Sequence, residues 1–493
     1  MIIYQLLPRV FGATAKKRCG TFADLNDRAI ERIKSLGVSH IWLTGVIRHS
    51  GAGETHPAVT KGEAGSPYAI TDYYDIDPNI AKKKAERMAE FERTVERIHS
   101  YGLKVIIDLV PNHVAREYKG DFGRNDDNSL RFAPNNNFYY CPGQKFVAPS
   151  QNAQEYVEFP AKASGNDVFS PSPSPNDWYD TIKLNYGIDY SDGSRHFDPI
   201  PDTWHKMLDI IEFWCSKGVD GFRADMAEMV PVEYWRWVIT EVRKAFSVTM
   251  IAEIYQPQLY QSYVDAGFDY LYDKVGLYNT LENIYRYGQR ADTISDVWKN
   301  LNGLDDKMLR FMENHDEVRL ASRFFMNDAQ KSYPFVALTA LMNRGPFMLY
   351  NGQEYGEKAE ESDNGRTSIF DYTYLRSMNG GGTGKKTSST LEFYRDLLNF
   401  RESHPAIMQG EFYDLMWANP WYHNFDPQYV YAFLRYHGND KLLIVINFNL
   451  NEGRNVTVNI PEDARQLIGG CEEKYDIDLK PAEVFIHIIK KEI

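Results

Sequence analysis

The chain has 493 residues, with 55 Lys and Arg against 68 Asp and Glu, so its net charge is −13. This charge argues against binding to nucleic acid or to an anionic membrane, and no apolar run reaches the roughly 18 residues of a membrane-spanning helix. Hydrophobic residues make up 43% of the chain, a globular composition, and the four scattered cysteines argue against a disulfide framework or a zinc site.

Short apolar segments alternate with helical patterns along most of the chain. The first of them, residues 2–6, is strand-like and is not preceded by a signal-peptide pattern. We therefore expect a cytoplasmic protein, although a chain trimmed of its signal would look the same. The predicted strands are 2–6, 38–44, 103–110, 219–223, 248–253, 268–271, 308–313 and 346–349, and the predicted helices include 22–36, 85–101, 202–217, 234–246 and 391–403. This order predicts an α/β fold, a (β/α)8 TIM barrel.

Two parts of the chain depart from this alternation. Residues 111–199 are rich in Asn, Asp, Pro, Ser and aromatic residues, and they are too many for a plain loop. We predict an irregular domain inserted after the third strand. The tail alternates as antiparallel strands do, at 429–433, 442–447, 456–460 and 484–488.

The predicted domains are therefore a barrel of residues 1–110 and 200–408, an inserted domain B of residues 111–199, and a C-terminal antiparallel β-sandwich domain of residues 409–493. A glycine-rich stretch, 379–384, lacks the strand and helix that flank a phosphate-binding loop, so we interpret it as a mobile loop after the eighth strand.

Acidic residues gather where the predicted strands end. The third strand runs into DLVPNH (108–113), the fourth into GFRAD (221–225), the fifth into IAE (251–253) and the seventh into ENHD (313–316). In a parallel barrel these ends converge on one mouth. Several acids buried together cost free energy unless something binds or neutralises them, so the pattern indicates a functional site.

These motifs resemble those of the α-amylase superfamily, the family 13 glycoside hydrolases, in the same order and over nearly the whole chain. The flanking segments IYQLLPRVFG, PYAITDYY (67–74), LNYGIDY (184–190) and PFMLYNGQEYG (346–356) resemble the family as well. The resemblance implies a retaining glycoside hydrolase that cleaves α-1,4-glucosidic bonds in malto-oligosaccharides or starch-like α-glucans. The expected partner is an oligo- or polysaccharide, with neither nucleic acid nor membrane, and the sequence indicates no oligomeric state.

The resemblance assigns roles to three acids. Asp225 matches the nucleophile that forms a covalent glycosyl intermediate, and Glu253 matches the general acid and base. Retention requires these two carboxyls about 5 to 5.5 Å apart. Asp316 matches the third acid, which holds sugar hydroxyls. Arg223 lies two residues before Asp225 on a strand, points the same way, and should keep the nucleophile ionised.

Other matched residues imply contacts with the sugar and with a metal. His113 and His315 resemble the family's hydrogen-bond donors to the sugar, and Tyr68 resembles its stacking platform. Asn112 resembles an Asn that helps to bind a structural calcium ion in many members. The sequence of the insert shows no evident partner carboxylates for this ion, so calcium binding stays an open alternative. No other cofactor is expected. Aromatic residues, 14% of the chain, are frequent in the insert and the mouth loops, which we interpret as the lining of a glucan-binding cleft.

Some residues depart from the family pattern. Where many endo-acting α-amylases have Lys-His after the nucleophile, this chain has Glu228 and Met229, although the Met229 carbonyl could still serve a calcium ion. The Asp that many α-glucosidases carry shortly before the stacking Tyr is absent from Gly65-Ser66-Pro67. The first departure puts the sugar contact on the leaving-group side in doubt, and the second argues against an α-glucosidase without excluding it. The alternatives are a transglycosylase or an α-glucosidase of the same superfamily, and a non-catalytic sugar-binding relative.

Overall fold

A barrel of eight parallel strands forms the centre of the molecule. The computed structural model describes residues 1–149, 156–378 and 385–490, and the glycine-rich stretch 379–384 lies outside them. The barrel strands, labelled β1 to β8, are Ile2–Leu6, His40–Leu43, Lys104–Leu109, Gly221–Ala224, Thr249–Ala252, Tyr270–Tyr272, Met308–Leu309 and Phe347–Tyr350. From β1 to β7 each strand pairs with the next one in chain order, and β8 pairs with β1. The predicted fold class is confirmed.

The barrel closes between β7 and β8 through a single parallel bridge from Arg310 to Phe347. The sequence predicts a seventh strand over residues 308–313, but only Met308–Leu309 forms one. The reason lies in Glu313, whose buried carboxylate binds the Arg319 guanidinium and the backbone N–H of Leu320. These contacts turn the chain away from the barrel wall into the loop that follows the strand.

Helices surround the barrel and bury one face against it. The helices that follow the barrel strands, labelled α1 to α9, are Asp27–Lys34, Arg87–Ser100, Asp202–Ser216, Val232–Val242, Tyr260–Asp265, Asn279–Tyr287, Ile294–Asn300, Tyr333–Leu341 and Lys385–Ser403. Three further short helices are Pro8–Phe11, Pro405–Met408 and Glu462–Leu467. In α2, Phe91, Val95 and Ile98 are buried at helical spacing. Burial of each such side chain stabilises the folded state by about 1.5–3 kcal/mol. The predicted helix 22–36 is shorter in the structure, because the Asn26 side chain caps the start of α1.

Among the described residues, no helix has both the length and the apolar character needed to cross a membrane.

The segment after β3 is irregular and consists of short strand pairs. Its pairs are His113–Ala115 with Thr181–Lys183, Tyr140–Cys141 with Ala161–Lys162, and Ile188–Asp189 with Ser194–Arg195. A further pair, Ile47–His49 with Ile70–Ile76, lies after β2. Arg116 holds the insert together, since its fully buried guanidinium lies 2.8 Å from Glu158 and 3.7 Å from the centre of the Phe146 ring. A buried ion pair and a cation–π contact thus connect parts of the insert, whose strands are too short to form extended sheets.

Antiparallel strands follow the barrel. They are β9 to β14, over Glu411–Asp414, Val430–His437, Asp440–Asn447, Arg454–Asn459, Lys474–Leu479 and Val484–Ile488. They form a four-stranded sheet in the order β9-β10-β11-β14 and the pair β12-β13. Buried Arg435 on β10 joins this sheet to the barrel, because it donates hydrogen bonds to the carbonyls of Met342, Ala406, Ile407 and Gly410. The boundary at residue 409 remains a prediction.

Candidate active site

A cavity of about 280 Å³ opens at the carboxyl ends of the barrel strands. The predicted site residues that line it are Tyr68, His113, Asp225, Glu253, His315 and Asp316. Arg223 is buried in direct contact with two of these acids. Asn112 is buried outside the cavity lining, where it contacts Lys183. Residues from four strand ends and one loop therefore meet in one place, as the convergence of parallel strands requires.

Arg223 connects three carboxylates. Its Nη1 lies 2.8 Å from Asp225 Oδ1 and 3.3 Å from Asp108 Oδ1, and its Nη2 lies 2.7 Å from Glu253 Oε1. Because both Nη atoms belong to one planar guanidinium, the accepting oxygens of Asp225 and Glu253 lie close to each other. One cation among three acids leaves excess negative charge in a buried site, so the group as a whole favours a bound proton.

Asp225 lies directly after β4 and is nearly buried. Its backbone N–H donates to Leu109 O at 2.8 Å, which fixes the chain where the strand ends. Burial raises the pKa of Asp225 well above its usual range; the Arg223 guanidinium lowers it, and the carboxylates of Glu253 and Asp108 raise it further. The contact with Arg223 favours the ionised form that a nucleophile needs, while the surrounding acids oppose it.

Two donors besides Arg223 hold the Glu253 carboxylate. The backbone N–H of Met226 donates to Oε2 at 2.7 Å, and the hydroxyl of Tyr255 donates to Oε1 at 2.6 Å. Met226 adopts a left-handed conformation with φ of 44°, which costs a residue with a side chain about 1–2 kcal/mol. Such strain persists where the surrounding structure enforces it. Here it places an N–H beside the acid opposite Asp225.

His315 is held in one tautomer. Gln5 Nε2 donates to His315 Nδ1 at 2.8 Å, so the proton of the neutral ring lies on Nε2. That nitrogen contacts the Tyr68 hydroxyl and lies 3.1 Å from Asp316 Oδ2. Burial, with a contribution from Arg223, lowers the pKa of His315 to about 3. Across the neutral pH range His315 is therefore an uncharged donor, suited to a sugar hydroxyl.

His113 is arranged in the same way on the insert side. Asn112 Nδ2 contacts its Nδ1 at 3.1 Å, which leaves the proton on Nε2. Burial, followed by Lys183 and Lys61, lowers the pKa of His113 to about 3. The ring centre lies 5.2 Å from that of Trp178, which also lines the cavity.

Tyr68 and Asp316 complete the predicted set. The Tyr68 ring stacks on His315 with ring centres 5.3 Å apart and an interplanar angle of 27°. The Asp316 side chain keeps 40% of its surface exposed, so its carboxylate remains accessible from the cavity. An aromatic face beside an accessible carboxylate fits a ligand with both C–H faces and hydroxyl groups.

Sequence reasoning missed Gln5 and Tyr255. Gln5 is a fully buried polar residue in the apolar strand β1, and this break in the pattern is a signal that it faces the barrel interior. Tyr255 follows Glu253 by two residues, and its backbone N–H donates to Glu228 Oε2 at 2.9 Å. Glu228, one of the departures from the family pattern, thus anchors the loop that carries Tyr255.

Replacing Tyr255 with phenylalanine should lower activity without loss of the fold. The Tyr255 hydroxyl donates a hydrogen bond to Glu253 Oε1 at 2.6 Å, so without it the Glu253 side chain is positioned less well. We expect kcat for maltoheptaose to fall by up to about tenfold, while the Tm changes by no more than a few degrees. The measurements are steady-state kinetics and thermal unfolding of Tyr255→Phe and the wild type.

Tyr260→Phe is the matched control for this experiment. Among the described residues, the Tyr260 hydroxyl has no hydrogen-bond partner, so its removal should leave kcat unchanged. A Tyr255→Phe variant with the kcat of the wild type would show that the Tyr255 hydroxyl has no influence on Glu253.

The chain resembles known proteins along nearly its whole length. A model of the alpha-amylase catalytic domain matches residues 5–378. The alpha-amylase MalA of Haloarcula japonica is 25% identical over 477 residues, which cover 95% of this chain and 58% of that protein. An oligo-1,6-glucosidase of Parageobacillus thermoglucosidasius is 21% identical, covering 91% of this chain and 90% of its own.

A solved structure of similar fold is that of the maltogenic alpha-amylase AmyB of Thermotoga neapolitana. Its TM-score is 0.66 at 23% identity, with 99% of this chain and 98% of that chain covered. This likeness extends the shared fold beyond the barrel to the C-terminal strands. Because the family model spans about three quarters of the sequence, from β1 to beyond β8, the chain belongs to the α-amylase family of glycoside hydrolases.

Proposed function

We propose that the protein is a retaining glycoside hydrolase that cleaves α-1,4-glucosidic bonds in malto-oligosaccharides or starch-like α-glucans. The observation that carries this proposal is the Arg223 guanidinium, which contacts Asp225 and Glu253 together at the base of the cavity. Two carboxyls that one guanidinium holds close together can act as nucleophile and acid on the same bond. The family membership makes a glycosidic bond the natural target.

In the first half-reaction, Glu253 gives its proton to the glycosidic oxygen while an Asp225 oxygen attacks the anomeric carbon. The bond between that carbon and the leaving oxygen breaks, and a covalent glycosyl–Asp225 ester forms. Arg223 stabilises the carboxylate before the attack, and it stabilises the Glu253 carboxylate after the proton has left.

In the second half-reaction, the ionised Glu253 takes a proton from water as the water oxygen attacks the anomeric carbon. The ester bond to Asp225 breaks, and the product keeps the α configuration of the substrate. The Tyr255 hydroxyl and the Met226 N–H stabilise the Glu253 carboxylate that acts as base here. If a sugar hydroxyl replaces water, the same residues perform transglycosylation.

The neighbouring residues recognise the sugar. Neutral His113 and His315 can each donate a hydrogen bond from Nε2, and the Asp316 carboxylate can accept hydrogen bonds from hydroxyls. Tyr68 and Trp178 offer aromatic surface to the apolar faces of the pyranose rings. Donors, acceptors and rings without an excess positive charge suit a neutral carbohydrate.

Incubation with maltoheptaose tests this proposal. We expect shorter oligosaccharides by mass spectrometry, and reducing ends released in the α configuration by proton NMR before mutarotation. Chains longer than the substrate would indicate transglycosylation, and release of single glucose units alone would indicate an α-glucosidase. Initial β anomers, or no change in the substrate, would contradict the proposal.

A further inference from the structure

A buried lysine lies at the junction between the insert and the barrel. Lys183 ends the strand Thr181–Lys183, which pairs with His113–Ala115 directly after β3. Its side chain is only 2% exposed. Burying an ammonium group costs free energy unless acceptors surround it, so its position calls for an explanation.

Three oxygen atoms from three separate segments surround the Lys183 ammonium. Nζ donates to Asn112 Oδ1 in the loop after β3, and it lies 3.1 Å from Met229 O in the loop after β4. It lies 2.8 Å from Asp167 Oδ1 in the insert. An ammonium has three N–H donors, and here it meets three acceptors.

The same oxygens are the ones that a calcium ion would use. Asn112 is the residue that the family resemblance connects with a structural calcium, and amide, carbonyl and carboxylate oxygens are ligands of that ion. A calcium ion placed among Asn112, Met229 and Asp167 would share their oxygens with the Lys183 ammonium, and two cations at such a distance repel each other strongly. These residues therefore do not fit a calcium ion. Among the described residues, no group of three or more His, Cys, Asp or Glu side chains could hold a metal ion.

We propose that the Lys183 ammonium takes the place of a structural calcium ion in this protein. It binds the loops after β3 and β4 to the insert and makes their junction independent of metal. Through Asn112 it also positions His113, because the Asn112 amide that accepts from Lys183 contacts His113 Nδ1 and donates to Gly165 O at 2.8 Å.

Burial lowers the pKa of Lys183, and the neighbouring groups oppose this shift. The Asp167 carboxylate stabilises the ammonium form, and the Tyr190 ring centre lies 5.8 Å from Nζ. Asp167 adopts a left-handed φ of 63°, an uncommon conformation for a residue other than glycine. The contact with Lys183 helps to compensate for this backbone strain.

Thermal unfolding of the wild type tests the metal independence, and it requires no assumption about the reaction. We expect the Tm in EDTA and the Tm in excess calcium chloride to agree within about 1 °C, since a ligand that does not bind the native state cannot stabilise it. A Tm that falls in EDTA and recovers with calcium would overturn the proposal.

Lys183→Met tests the ammonium itself, because methionine keeps similar length without charge. We expect its Tm to fall by roughly 5 °C, since the oxygens of Asn112 and Met229 lose their donor. The matched control is Lys162→Met in the same insert, whose ion pair with Glu158 spans 3.9 Å and is partly exposed. If the Tm falls by the same amount in both variants, Lys183 has no special role.

Lys183→Asp distinguishes a cation from ordinary packing. It would add a carboxylate to the three remaining oxygens and so create the donor set of a calcium site. We expect calcium to raise the Tm of this variant by several degrees, or to restore its soluble yield if it does not fold without calcium, and to leave the wild type unchanged. A variant that does not respond to calcium would mean that the oxygens of Asn112, Met229 and Asp167 do not form a cation site.

Kinetics test the link to His113, and this readout rests on the proposed function. For Lys183→Met we expect the KM for maltoheptaose to rise about threefold or more, because a less well positioned His113 binds the sugar less well. An unchanged KM together with a lower Tm would leave the role as cation intact but would contradict the positioning of His113.

Discussion

Replacing Asp225 with asparagine should lower kcat for maltoheptaose by at least about 10⁴-fold, because the amide cannot form the glycosyl ester. The side chain keeps its shape, and Arg223 can still contact the amide oxygen. We therefore expect the Tm to change by no more than a few degrees. Steady-state kinetics and thermal unfolding of Asp225→Asn measure the two quantities side by side.

Asp220→Asn is the matched control for the loss of one carboxylate. Asp220 precedes β4, at the opposite end of the strand from Asp225, and it accepts a hydrogen bond from Val105 N at 2.8 Å. Residues at this face of a barrel contribute to stability rather than to chemistry, so activity should stay within about twofold of the wild type. More than a few per cent of wild-type activity in Asp225→Asn would contradict its role as nucleophile.

Replacing Glu253 with glutamine should lower kcat for maltoheptaose by about 10³-fold or more, because the leaving oxygen then departs without a proton. The effect should depend on the leaving group. Fluoride needs no protonation, so α-maltosyl fluoride should still form the glycosyl enzyme in Glu253→Gln. The measurement compares the two substrates in steady-state and rapid-mixing experiments.

Azide provides the complementary test of Glu253. An anionic nucleophile needs no general base, so azide should accelerate turnover of α-maltosyl fluoride by Glu253→Gln and yield α-maltosyl azide. Asp225→Asn lacks the intermediate and should show no such rescue. Equal losses on both substrates in Glu253→Gln, without an effect of azide, would contradict its assignment as acid and base.

The barrel was predictable because its strands are short apolar runs between helices. Residues 103–110 are almost continuously apolar, as a strand buried on both faces must be, and the structure has β3 there. The seventh strand was harder to delimit, because Glu313 forms side-chain contacts with residues further along the chain. The strand β13 was missed, although Ile477 and Leu479 alternate with polar residues and are buried.

Local spacing alone places site residues together only where they are neighbours in sequence, and the other site residues were predicted from the family resemblance. Arg223 and Asp225 share one strand end, so the period of a strand is enough to place them together. Gln5 and His315 are 310 positions apart, and only the closed barrel brings the amide to the ring. The same holds for Lys183 and Asn112, which are 71 positions apart. Contacts of this kind depend on the strand register and on the conformation of the loops, and neither can be predicted from the local sequence pattern.

The mass of a trapped intermediate tests the central claim most directly. Glu253→Gln incubated with α-maltosyl fluoride should accumulate the glycosyl ester, since its hydrolysis needs the missing base. After quenching in acid and digestion, we predict one maltosyl group on the peptide that contains Asp225, and none in the double variant with Asp225→Asn. A maltosyl group on a different residue, or an unmodified protein under turnover, would contradict Asp225 as the nucleophile.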